Sequence, residues 1–244
     1  MKKIAIIGGT GLQHLAGFSP ESEDYFNTPY GTPSAPLLQG TFAGKPVVFL
    51  ARHGKAHSIP PHKINYRANI WALHSVGVRE VLAVAAVGGI HRHVLARHLV
   101  IPHQLIDYTW GREHTFFEEN HVQHIDFTEP YTERLRQKLI HAARTLPFAT
   151  HEQGIYGATQ GPRLETAAEI ERMAWDGCDI VGMTGMPEAA LAREMGLEYA
   201  CCAVVANAAA GRGDGIITMA EIEENLVEGM ENVCQLLAAS LQVL

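Results

Sequence analysis

Strand-like apolar runs that alternate with helical patterns are the feature that most restricts how this chain can fold. The runs lie at 4–7, 47–51, 81–87, 98–106, 179–183 and 199–206, and helical periodicity lies between or after them at 66–76, 130–143, 165–175, 187–195 and 219–241. Continuous apolar strands followed by helices predict an α/β fold, a mainly parallel or mixed β-sheet flanked by helices on both faces. The stretch 19–36, rich in Ser, Thr, Pro and Gly, reads as a loop or extended hairpin. Residues 110–126 are polar and aromatic without a period, which predicts a long excursion near the site. No repeat, linker or low-complexity tract divides the 244 residues, so 1–244 reads as a single domain with room for a sizeable core.

Composition removes several classes of function. Hydrophobic residues make up 47% and charged residues 18%, a globular balance rather than a disordered one. No apolar run approaches the roughly 20 residues of a membrane span. Met1-Lys2-Lys3 leads straight into Ile4, too short and wrongly flanked for a signal peptide, so the expected compartment is cytoplasmic. Net charge is −7 with no run of Lys or Arg, which argues against nucleic acid as a partner and still allows a small anion. Cys178, Cys201, Cys202 and Cys234 form no CxxC pair, so neither a disulfide framework nor a zinc site is expected. The pairs His53/His57 and His57/His62 and the group His91/His93/His98 lack an acidic or Cys partner that would complete a ligand set; no metal is expected.

Chemistry gathers where the strands end. Ile7 runs into Gly8-Gly9-Thr10-Gly11, whose backbone N–H groups and Thr10 hydroxyl can cradle an anion. A dinucleotide fold is the rival, but its third glycine falls on His14 and no acidic strand end follows about 20 residues on. A tight turn without a ligand stays open as well. Arg52 and His53 end another strand: an Arg fork matches phosphate oxygens, although a lone Arg at a strand end is more often a surface salt-bridge partner. Ala85 and Ala86, before Gly88-Gly89, are small enough for a ligand or a neighbouring strand to approach the backbone. Gly161-Pro162-Arg163-Leu164-Glu165 reads as a turn into a helix with Glu165 in its first turn, where it either complements the helix dipole or accepts hydrogen from a base. Thr184 lies in a tight turn after the run at 179–183, ahead of a helix begun by Pro187. Asn207 ends the run at 199–206 and carries an acceptor and a donor on one short arm. At a nucleoside site, Asn rather than Asp there would select a 6-oxo over a 6-amino purine.

Gly8-Gly9-Thr10-Gly11, Ala51-Arg52-His53-Gly54, Asn65-Tyr66-Arg67-Ala68-Asn69-Ile70-Trp71-Ala72-Leu73, Gly161-Pro162-Arg163, Met183-Thr184 and Pro187-Glu188 together resemble the methylthioadenosine phosphorylase branch of the trimeric purine nucleoside phosphorylases, in the same order along essentially the whole chain. The resemblance implies a nucleoside phosphorylase fold, a homotrimer, no cofactor, and orthophosphate as co-substrate with a nucleoside. It puts phosphate against Thr10, Arg52, His53, the Ala85–Ala86 backbone and Thr184. Met183 would contact the ribose diol, and Leu164 with Asn207, Ala208 and Ala209 would face the base. His124 would reach across a subunit interface to the 5′ substituent.

Departures from the family pattern refine this expectation. Asn207 stands where the methylthioadenosine enzyme has Asp, and Glu165 matches the 6-oxopurine branch. Ala85 replaces a Thr that helps hold phosphate. Met219 stands where ordinary 6-oxopurine enzymes place a 5′-hydroxyl-binding His, with Ile222 one turn later; both suit a methylthio group. A 6-oxo base with an apolar 5′ pocket describes S-methyl-5′-thioinosine; the alternatives are a broader inosine/guanosine phosphorylase or a methylthioadenosine phosphorylase and, outside the enzymes, a nucleotide-binding Rossmann-like regulator.

Overall fold

The structure, a computed structural model, describes residues 3–12, 14–118 and 121–243. In chain order the strands and helices are β1 (Lys3–Gly8), β2 (Phe18–Asp24), β3 (Leu37–Phe42), β4 (Lys45–Ala51), α1 (Tyr66–Ser75), β5 (Val78–Gly89), β6 (Leu99–Val100), β7 (Gln104–Asp107), α2 (Glu133–Ala143), β8 (Thr150–His151), β9 (Ile155–Ala158), α3 (Ala167–Trp175), β10 (Ile180–Gly182), α4 (Glu188–Glu194), β11 (Glu198–Ala208) and α5 (Met219–Gln242).

The strands join in one mixed sheet ordered β2-β3-β4-β1-β5-β10-β9-β7, with β11 along the other edge of β5 and β6 and β8 beyond it. β1, β4, β5 and β11 run parallel, and β3 and β10 pair antiparallel to β4 and β5. Strands buried on both faces need apolar residues at every position rather than at alternate ones. Ala5 to Ile7, Val81 to Val84 and Ala200 to Val205 supply them, all at most 2% exposed. Helices α2 and α5 pack together and against β11, while α1 packs on β5 and α4.

Several boundaries differ from the sequence reading, each for a local reason. The run at 98–106 divides into β6 and β7, because Pro102 between them has no N–H to give a ladder. The loop-or-hairpin segment contributes β2, which pairs antiparallel with β3. β8 and β9 are short and gave no apolar signal. The helix expected from 165 begins at Ala167: Thr166 caps it, accepting from the Glu169 N–H at 3.1 Å while Glu169 accepts from the Thr166 N–H at 2.7 Å. Glu165 therefore precedes the helix, and Glu169 is the acid that complements its dipole. The excursion 110–126 is without helix or strand over its described residues; Glu119 and Asn120 within it, like Met1, Lys2, Gln13 and Leu244, lie outside them.

What positions a site is the way β5 changes neighbours. β1 pairs with it as far as Ile7 opposite Ala83, and β10 joins the same edge only at Gly88 and Gly89. Between these limits no strand among the described residues pairs with the edge, while the opposite edge stays paired to β11. A crevice opens where the two neighbours part, the place where open α/β sheets bind ligands.

Candidate active site

A cavity of about 510 Å3 fills that crevice. Its floor is β5 from Ala85 to Gly88. The Val84 carbonyl faces the open edge and accepts from Arg52 Nη1 at 2.7 Å. Strand alternation turns the Ala86 N–H to the same edge, where it is available to a ligand oxygen.

One end of the cavity is polar. β1 and β4 run in register to Gly8 opposite Ala51, so the turns that follow bring Gly9-Thr10 beside His53. Gly9 must lack a side chain here: a Cβ would stand 2.6 Å from the Val84 carbonyl oxygen. Thr10 Oγ1 lies 3.1 Å from His57 Nε2, and the His53 and His57 rings are 4.7 Å apart. His53 Nδ1 donates to the Ile59 carbonyl at 2.8 Å, since a carbonyl can only accept. Its Nε2 is thereby left as the acceptor. Burial, aided by the neighbouring Arg52 and His57, pulls the His53 imidazole down to about 4, so it is neutral at physiological pH. Thr184, buried after β10, closes this end.

The same lining carries the base-reading candidates. Between Val205 and Asn207 the β5–β11 register slips by one residue, a β-bulge at Ala206. The bulge re-aims Asn207 into the cavity, and the freed Ala206 carbonyl accepts from Asn225 Nδ2 of α5 at 2.9 Å. Asn207 Nδ2 donates one hydrogen to the Ala208 carbonyl at 2.7 Å, leaving its second N–H and its Oδ1 for a ligand. Glu165 reaches the same cavity with Oε1 accepting from Thr159 Oγ1 at 2.7 Å; among the described residues no hydrogen bond engages Oε2. Met183 also lines the cavity, packed against the turn at Gly161, whose φ of +59° lies in the left-handed region that favours glycine. Leu164, Ile217, Met219 and Ile222 make an apolar mouth, with Met219 62% exposed in the isolated chain.

Most of the expected residues thus converge: Thr10, His53, Ala85, Ala86, Leu164, Glu165, Met183, Thr184, Asn207, Ala209, Met219 and Ile222 all line one cavity. Arg52 does not. Its side chain is 1% exposed behind the wall, with Nε and Nη2 donating to Glu188 at 2.6 and 2.7 Å. The fork expected for phosphate is closed on a carboxylate because a fully buried guanidinium needs a partner in the folded chain. Ala208 lies outside the lining and serves through its carbonyl. His124 is exposed in the excursion and does not line this cavity. The structure adds His57 and Ile217 to the lining and Asn225 behind it. His57 was visible in sequence only as a possible metal ligand, and the other two carry no local signal. Among the described residues no group of three His, Cys, Asp or Glu could hold a metal ion, and no helix is long and apolar enough to cross a membrane.

A strand-end crevice lined by small-anion donors and by an amide and a carboxylate is the arrangement of a nucleoside-cleaving phosphorylase. The sequence matches the Phosphorylase superfamily over residues 3–242, and the chain belongs to that family. A probable S-methyl-5′-thioinosine phosphorylase of Pseudomonas syringae is 56% identical over 243 residues, covering 99% of both chains. The 6-oxopurine nucleoside phosphorylase of Pyrococcus furiosus is 43% identical over 251 residues, covering 100% of this chain and 94% of its own. A methylthioadenosine phosphorylase of Schistosoma mansoni, solved with adenine, superposes with a TM-score of 0.95 at 33% identity, over 100% of this chain and 92% of its own. The architecture is the nucleoside phosphorylase fold.

Proposed function

We propose that this chain catalyses phosphorolysis of a 6-oxopurine nucleoside, S-methyl-5′-thioinosine, with phosphate as co-substrate. The products are hypoxanthine and S-methyl-5-thioribose 1-phosphate. The observation that carries the reading is that Asn207 and Glu165 line the same cavity as the apolar Met219 and Ile222. Relatives with the same activity in their names support it at 54–58% identity.

In the reaction a phosphate oxygen bonds to C1′ as the C1′–N9 bond breaks; that electron pair moves into the purine, and the proton that hydrogen phosphate loses ends on the base, which leaves as neutral hypoxanthine. The Asn207 N–H donates to N7 and Glu165 holds N1–H, which stabilises the departing base where its charge develops. Thr10, His53, the Ala86 N–H and Thr184 orient phosphate beneath the sugar. Neutral His53 accepts from a protonated phosphate oxygen through Nε2. Arg52 acts from behind, through Glu188 and the Val84 carbonyl. No protein nucleophile and no cofactor is required.

The chain works as a single domain in a cytoplasmic homotrimer, with His124 of one subunit closing the 5′ pocket of the next. The exposure of both His124 and Met219 in the isolated chain supports that arrangement. A monomer by light scattering that kept full activity would remove it. The central experiment is base release from methylthioinosine, methylthioadenosine and inosine, each with and without phosphate. Phosphate-dependent release from methylthioinosine first is the expected result. Equal turnover of inosine replaces this reading with a broader 6-oxopurine phosphorylase, and no phosphate dependence overturns it.

A further inference from the structure

Arg112 is 8% exposed, and no carboxylate lies within ion-pair distance of it among the described residues. Its guanidinium instead donates to neutral acceptors from three separate parts of the chain. Nη2 reaches the Thr159 carbonyl at 3.1 Å and the Gln160 carbonyl at 2.8 Å, and Nε reaches Gln160 Oε1 at 3.1 Å. Nη1 reaches the Met183 carbonyl at 2.9 Å, the Met186 carbonyl at 2.5 Å and the Tyr66 hydroxyl at 3.3 Å. A buried cation without a counter-ion is costly, and only dense hydrogen bonding to oriented dipoles offsets that cost. The fan of donors spans the segment that leads to Glu165 and the turn that carries Met183 and Thr184. Thr159, held by its carbonyl, gives its hydroxyl to Glu165.

We infer that Arg112 is a positioning residue for the nucleoside: it ties the 159–165 segment to the 183–186 turn and, through the Thr159 hydroxyl, sets the Glu165 carboxylate against the base. This rests on the proposed phosphorolysis. Lysine cannot substitute, because three donors on one nitrogen cannot span acceptors on both segments.

A double-mutant cycle in the full-length enzyme tests it, with kcat/KM for methylthioinosine measured at saturating phosphate and melting temperature measured alongside. Arg112→Lys and Glu165→Gln should each lower kcat/KM by about tenfold or more, and the double variant should fall at most about twofold further, since coupled residues lose one shared interaction once. Thr159→Val, which leaves the guanidinium in place, should lower kcat/KM in the same direction and also fail to multiply with Arg112→Lys. If Arg112→Lys does not fold, Gln160→Met removes one of its acceptors and replaces it in the cycle. Losses that multiply in these cycles, or a folded Arg112→Lys enzyme with wild-type kinetics, overturn the inference while the phosphorolysis stands. A wild-type enzyme that releases no base overturns both.

Discussion

Asn225 of α5 donates to the Ala206 carbonyl at 2.9 Å and accepts from Arg97 Nε at 3.0 Å, so a helix side chain satisfies the backbone group that the β11 bulge sets free. The bulge is what directs Asn207 at the cavity, and an orphaned carbonyl at this depth costs about 1–3 kcal/mol. Asn225→Ala should lower the melting temperature by roughly 2–12 °C for a chain of this size. It should also raise KM for the nucleoside more than KM for phosphate. Equal, small changes in both constants with an unchanged melting temperature would show that the bulge holds without it.

Arg52 and Glu188 are both essentially inaccessible, and Tyr199 adds a hydroxyl donation to Glu188 Oε1 at 2.8 Å. Glu188 holds the Arg52 guanidinium far above its ordinary range against the opposing effect of burial. Glu188→Gln should destabilise the fold by about 3–5 kcal/mol, because it strands a buried cation. Denaturant unfolding at pH 7 measures this; a loss under about 1 kcal/mol would place the cation's compensation elsewhere.

His53 gives a signed pH dependence. Its imidazole titrates near its ordinary 6.5 when unfolded and is pulled to about 4 by burial when folded. Between these values the unfolded state binds more protons, so stability is complete above pH 6.5 and is lost as pH falls toward 4, by about 3 kcal/mol at that limit. His53→Gln should flatten this part of the stability curve measured by denaturant unfolding from pH 4 to 7. A mutant curve as steep as the wild type's would contradict the burial argument.

Asn207→Asp should shift preference toward 6-aminopurines. A carboxylate repels O6 and can share a proton with N7, and a mispaired buried polar group costs about 1–3 kcal/mol. The ratio of kcat/KM on methylthioinosine to that on methylthioadenosine should fall at least about tenfold. An unchanged ratio would place Asn207 outside base recognition.

Met219→His should raise inosine turnover relative to methylthioinosine, because imidazole can pair with a 5′-hydroxyl and packs less well on a thiomethyl group. Contact with Met219 and Ile222 is worth about 1–2 kcal/mol to that group at roughly 25 cal/mol per Å2. Parallel kcat/KM measurements decide it: if both activities drop together, Met219 only supports the first turn of α5.

Legibility in the sequence followed the range of the interactions. β1, β4, β5 and β11 were readable because burial on both faces writes itself as a local apolar run. Thr10, His53, Thr184, Glu165 and Asn207 were readable because each stands at or just past a strand end or in a short turn, and such positions in an α/β sheet share one edge. β8 and β9 were not, being too short to carry a period.

Three decisions belong to the tertiary structure alone. Arg52 turns to Glu188, 136 residues away, rather than into the cavity. Asn207 owes its direction to a bulge whose carbonyl is satisfied from α5. Arg112 finds its acceptors near residues 66, 159 and 183. The sequence by itself determines which groups must be buried and which chemistry stands at the strand ends. Which partner satisfies each buried donor depends on non-local geometry, because a hydrogen bond needs an atom within about 3 Å, and nothing in the neighbouring sequence records what folding will bring that close.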